Sequence, residues 1–316
     1  MPMTKKSVSY QLRLQGLATA PGTISVQTLR ELLRGLTDSA ERALRLAIQG
    51  ESVKRGKTPS WLSKSLDLQL TGLESGSTVL NLEAPTLGET VGDQLAQQDM
   101  WFTPPSADDT VFSLVSRSVR DTTAENLESN AYDAGVLNGL LELKPFLKKA
   151  QRIELRAHGR PKEDFEIGMP EIEKFERLKQ QTPKPHAMVV SGLLDSIQHS
   201  RRRFQLMVSE GQSVPGRVDE EFLDAEQMRD LWGKKVTVKG MVYFRPSGHV
   251  QLLEAHLIRL MQNGEEIYEE MPLEQSEAGF VREVAQTGHH KDWVKEVWGK
   301  WPGDEDIEEL LADLKR

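Results

Sequence analysis

Seven histidines are the first candidates for catalysis or metal binding: His158, His186, His199, His249, His256, His289 and His290. None stands at a ligand spacing from a second histidine or a carboxylate. His289 and His290 are adjacent, and adjacent residues of a helix point to different faces, which suits a metal poorly. The chain has no cysteine, which excludes disulfides, thiolate catalysis and Cys-ligated zinc. The phosphate-binding patterns Gly-x-Gly-x-x-Gly and Gly-x-x-x-x-Gly-Lys-Ser/Thr are absent, as is the serine elbow Gly-x-Ser-x-Gly. Gly72-Leu73-Glu74-Ser75-Gly76-Ser77 is rich in Gly and Ser but falls at a hairpin turn. Asp108-Asp109 reads as a helix cap. The expectation is a binding protein and not an enzyme, with no catalytic residue, no metal and no cofactor.

Residues suited to recognition are better represented. Trp293, Val294, Val297, Trp298 and Trp301 recur at helical spacing within residues 292–301. Pro302-Gly303 ends that stretch. Asp304-Glu305-Asp306 suits the first turn of a second helix, because the macrodipole favours acidic side chains there. Ile307, Leu310, Leu311 and Leu314 form a narrow apolar stripe, followed by Lys315 and Arg316. Two short amphipathic helices cannot hold their structure alone. They must dock on the body of the chain or on another protein, with the tryptophans as anchors in a groove.

The run Trp298-Gly299-Lys300-Trp301-Pro302-Gly303-Asp304-Glu305, with Glu308-Glu309-Leu310-Leu311 and Leu314 behind it, resembles the C-terminal toxin-binding tail of type II antitoxins, especially the VapB class. In that family an aromatic-Gly-x-Trp element precedes an acidic helix of the Glu-Glu-Leu/Ile type, and the partners are PIN-domain ribonucleases. The resemblance covers about residues 289–316. It implies a toxin–antitoxin role in which the tail wraps a nuclease, or another protein encoded nearby, through its apolar positions. It also implies that Lys315 or Arg316 approaches the toxin's acidic, metal-binding centre. Family members are short and carry a small dimeric DNA-binding N-terminus, which residues 1–262 here replace with something else.

A second set of residues suits nucleic acid. Arg201, Arg202 and Arg203 fall at the hairpin between two strands, and Lys239, Tyr243 and Arg245 lie on or just beyond a third. Basic and aromatic side chains on one face of a small barrel bind single strands. Single-stranded nucleic acid is therefore the alternative partner.

The elements that must position these residues follow from periodicity. Val8, Tyr10, Leu12 and Leu14 alternate as a half-buried strand. Ser25 caps a helix that Gly50 ends, with Thr37-Asp38-Ser39 as a point where it breaks in two. Residues 51–64 read as a loop anchored by Trp61-Leu62. A hairpin covers residues 66–82, helices cover 109–120 and 132–150, and a strand lies around Ile153 and Leu155. The fold class is α+β: an α+β domain over 1–156, a linker over 157–185 with a short helix near 171–180, and then three strands, a helix and two strands over 186–262. That order resembles an OB-like five-stranded barrel, with Gly192 and Gly240 where strands must coil sharply. Residues 263–316 are expected as an acidic tail with two helices.

Charge supports the division. The 316 residues carry a formal net charge of −8. Residues 263–316 hold 15 acidic and 6 basic side chains, so they carry the whole excess and the rest is near neutral. Such asymmetry marks an interaction tail. No run of ~18 apolar residues exists, so no membrane partner is expected. Residues 1–6 lack the apolar core of a secretion signal, and the expected compartment is a reducing, bacterial cytoplasm.

Overall fold

The strand β1 (Ser7–Gln15) buries Val8, Tyr10, Leu12 and Leu14 and turns the residues between them outward. The computed structural model describes residues 6–20, 23–53, 58–74, 78–95, 104–198, 202–218 and 225–276. Within them follow α1 (Val26–Gln49), α2 (Ser60–Ser65), β2 (Gln69–Glu74), β3 (Thr78–Pro85), α3 (Leu87–Thr90), α4 (Gly92–Leu95), α5 (Val111–Thr123), α6 (Ala134–Leu141), α7 (Lys144–Leu147), β4 (Arg152–Ala157), β5 (Phe165–Gly168) and α8 (Met169–Gln181). The strands form one antiparallel sheet in the order β2-β3-β1-β4-β5. Helices and the apolar sheet residues share a single core. The coarse expectation of helices and strands mixed without a βαβ rhythm therefore holds.

Local chemistry explains the element ends. The Ser25 hydroxyl accepts from the Thr28 amide at 3.1 Å, and Gly50, at φ 81°, donates to Leu46 O. These cap α1 at both ends. Its expected break does not occur. Ser39 donates to Gly35 O at 2.7 Å and Asp38 accepts from Arg42 at 2.9 Å, so the polar side chains are satisfied within the helix. The stretch 51–64 is not all loop, since α2 carries Trp61 and buried Leu62. The expected single helix over 132–150 is two, because Pro145 opens α7 and has no amide to continue α6.

The larger correction concerns 157–185. A linker would leave no apolar surface to bury. Instead β5 pairs with β4, and Phe165, Ile167, Ile172, Phe175 and Leu178 enter the first core. The Lys- and Glu-rich composition that suggested a linker belongs to the outer side of α8.

The second part comprises β6 (His186–Gln198), β7 (Arg203–Met207), β8 (Ser213–Val218), α9 (Ala225–Leu231), β9 (Lys235–Phe244) and β10 (Val250–Leu260). The strands close into a barrel in the cyclic order β10-β8-β7-β6-β9. β10 and β8 are its parallel pair and the other pairs are antiparallel. A side chain at Gly192 or Gly240 would collide with the backbone oxygen of Met207 or Glu254. Register shifts on β6 and β10 mark where the strands bend.

Residues 263–276 correct the expected tail. They lie along the barrel as a strap. Glu265 accepts from Arg259, from Thr237 Oγ1 at 2.7 Å and from the Gln262 amide, and Arg259 first among these holds its carboxyl down to about 2. Lys235 bonds Glu269 at 2.6 Å, Leu273 bridges to His249, and Met271 packs against the barrel core. Glu265 and Glu269 of the supposed tail thus match barrel cations. The two expected tail helices lie outside the described residues. Among the described residues no helix is long and apolar enough to cross a membrane.

If α8 is integral, Phe175→Ala leaves a cavity in the first core and costs about 3–5 kcal/mol of stability. Denaturant unfolding checks this. A midpoint equal to that of the parent chain would return α8 to the status of a linker.

Candidate functional site

The basic residues expected to face nucleic acid have divided roles. Arg201 lies outside the described residues. Arg202 is exposed at the β6–β7 hairpin in a left-handed conformation, φ 52°. Lys239 is exposed on β9. Arg203, Tyr243 and Arg245 instead turn toward the first sheet unit. Arg203 Nη2 donates to Ile48 O at 3.1 Å, one of the last carbonyls of α1, which have no partner within the helix. A cation there is also favoured by the macrodipole. Arg245 donates to Asn130 Oδ1 at 2.7 Å and to Val250 O at 2.8 Å.

Between these residues lies the electrostatic centre of the joint. Arg217 on β8 donates to Glu51 Oε1 at 2.6 Å and also to Glu254 of β10. Side-chain exposures of 11% for Arg217, 7% for Glu51 and 17% for Glu254 make this a buried cluster. Burial works against the Arg217 charge, but hydrogen bonds and fields of the two carboxylates outweigh it and lift its pKa above the ordinary guanidinium value. Tyr243 donates to Glu254 Oε2 at 3.2 Å, and burial, then Glu254, push its hydroxyl up to about 12. Arg245 differs: burial pulls it below the ordinary value, and Glu128 offsets only part. His249 Nδ1 meets Glu128 Oε1 at 2.6 Å, and Gln251 donates to Tyr132 O at 3.3 Å. The bonds of Arg203 to Ile48, Arg217 to Glu51, Arg245 to Asn130, His249 to Glu128 and Gln251 to Tyr132 tie the barrel to the first unit.

Two open surfaces stand out among the described residues. A cleft of about 480 Å³ on the polar face of the first sheet is lined by Gln11, Thr71, Asn81, Arg156 and His158, among others. Arg156 there bonds Glu166 at 2.8 Å and lies 3.5 Å from Asp164, so its charge is matched locally and the cleft makes no anion site. A groove of about 640 Å³ runs along α1. Among the described residues no group of three or more histidines and carboxylates is placed to hold a metal ion. Trp293, Val297, Trp298, Trp301, Ile307, Leu310, Leu311, Leu314, Lys315 and Arg316 lie outside the described residues. No family model, curated protein or solved structure matches the chain.

Sequence reasoning missed Glu51, Arg217 and Glu254. Glu51 lies 166 positions from Arg217 and Glu254 lies 37 from it. No spacing rule spans such distances. The one local hint was a charged Arg217 in a short strand of otherwise apolar and small residues.

Arg217→Ala is expected to cost about 3–5 kcal/mol, because it leaves two carboxylates buried without their cation. Arg217→Ala combined with Glu51→Gln should cost less than the sum of the single changes, as a double-mutant cycle by urea unfolding can read. Alkaline titration followed at 295 nm should show three late tyrosines among the four, since burial foremost raises Tyr10, Tyr132 and Tyr243. In each case the unfolded chain loses its proton first, so stability falls as pH climbs above ~10. Tyr243→Phe should remove the component near pH 12.

Proposed function

We propose that the protein is a non-enzymatic, antitoxin-like binding protein whose C-terminal segment grips and restrains a PIN-type nuclease. The observation that carries this reading is the tail pattern: Trp293, Trp298 and Trp301, then the acidic turn, then Ile307, Leu310, Leu311 and Leu314. Its apolar positions supply anchors for a groove, and Lys315 or Arg316 supplies a cation for an acidic nuclease centre. The strap supports the same reading. It fastens the chain to the barrel as far as residue 276, and the Trp-rich pattern begins beyond it.

The strand order of the barrel, with its single parallel closing pair and a helix between β8 and β9, supports the OB-like description. Single-strand binding on that barrel has less behind it. Arg203, Tyr243 and Arg245 already have protein partners, which leaves Arg202 and Lys239 as the exposed basic residues of that set among the described residues.

Co-expression with the product of the neighbouring gene, followed by pull-down and a ribonuclease assay, tests the proposal. The full chain should capture and inhibit the nuclease, and a chain ending at residue 276 should do neither. Trp298→Ala and Trp301→Ala should each weaken binding by roughly 30-fold or more, the loss of ~2 kcal/mol typical of an anchor. Equal binding by full and shortened chains would overturn the reading.

A further inference from the structure

The groove along α1 runs over the first two-thirds of that helix, from Val26 to Glu41. Its floor is apolar. Val26 is 84% exposed, and Leu33 lies outside both hydrophobic cores. Its rim is basic. Arg30 and Arg34 are exposed, and neither makes an ion pair or hydrogen bond with another described residue. The nearby acids are already matched: Glu31 by Lys149, Asp38 by Arg42 and Glu41 by Arg45. An apolar floor with a surplus of positive charge fits an amphipathic helix with an acidic flank.

One segment of this chain has that character. Residues 304–314 carry the stripe Ile307, Leu310, Leu311 and Leu314, with five acidic side chains between 304 and 309. The segment lies outside the described residues, and the chain between it and the strap is long enough to reach. Residues 277–303 can extend by roughly 90 Å, whereas a folded body of this size has a radius of gyration of about 19 Å.

We propose that, in the protein without a partner, residues 304–314 dock in the α1 groove of their own chain, their acidic turn against Arg30 and Arg34. The surface that would grip a partner is then covered, and a partner must compete with α1 for it. The proposal goes beyond the nuclease reading and stands if that reading falls.

The absence of cysteine makes the test clean. The full chain carrying Leu33→Cys with Leu310→Cys is oxidised in dilute solution without any nuclease, and the disulfide is read by mass and by mobility. Val26→Cys with Leu314→Cys serves as a second pair, and Leu257→Cys with Leu310→Cys, which places one thiol on the exposed outside of the barrel, as the control. Docking predicts roughly tenfold more intramolecular disulfide in the α1 pairs than in the control, through a higher effective concentration. Arg30→Glu with Arg34→Glu should bring the yield down to the control. A yield equal to the control in both α1 pairs overturns the proposal. So does a disulfide formed only between two chains, which would assign the groove to the tail of a second copy.

Discussion

Arg203 and Arg217 stand directly opposite each other on β7 and β8, and both turn toward the first sheet unit. Like charges in that position repel across a ladder, and burial makes each harder to tolerate. The structure resolves the conflict with groups from elsewhere in the chain. The last turn of α1 offers Ile48 O to Arg203. Glu51, set just past the left-handed Gly50, offers its carboxylate to Arg217. Glu254 completes the set, and it is the register partner of Arg217 in the parallel ladder that closes the barrel. Barrel closure, the end of α1 and the seating of one unit on the other thus meet at one buried cation and its two anions.

That dependence shapes what the barrel can do. A face of basic and aromatic residues is the usual equipment for binding a strand of nucleic acid. Here much of it is turned inward and matched by protein groups. The acidic excess divides in a similar way. Of the five carboxylates between 263 and 276, Glu265 and Glu269 are matched by Arg259 and Lys235 on the barrel, so part of the acidity is spent on fastening the strap.

Where periodicity was strict, the fold was legible. The alternation of β1 and β9 and the Ser25 and Gly50 caps of α1 follow directly from residue type. So do Gly192 and Gly240, where a neighbouring strand's backbone leaves no room for a side chain. Composition misled at 157–185, because a helix that buries three apolar residues and leaves the other ten half-buried or exposed has the average polarity of a linker. The break expected in α1 failed because Ser39 and Asp38 find partners one turn away. The strap and the joint were illegible for a different reason. Their partners are pairs such as Lys235 with Glu269 or Arg217 with Glu51, which become neighbours only after the strands close. Of the candidate binding residues on the barrel, Arg202 falls at the expected hairpin and Lys239 and Tyr243 on the expected strand, but which partners Arg203 and Arg245 meet was decided by the first unit.

The strap also determines how the molecule bears load. It follows directly from β10, and β10 is bonded to β9 on one side and to β8 on the other. A pull applied at residue 276 first strips the strap, whose bonds lie at separate points. It then meets two ladders lying along the direction of force, which must yield in shear and not one bond at a time. An unfolding machine that pulls on residue 276 would therefore meet its main resistance at the barrel.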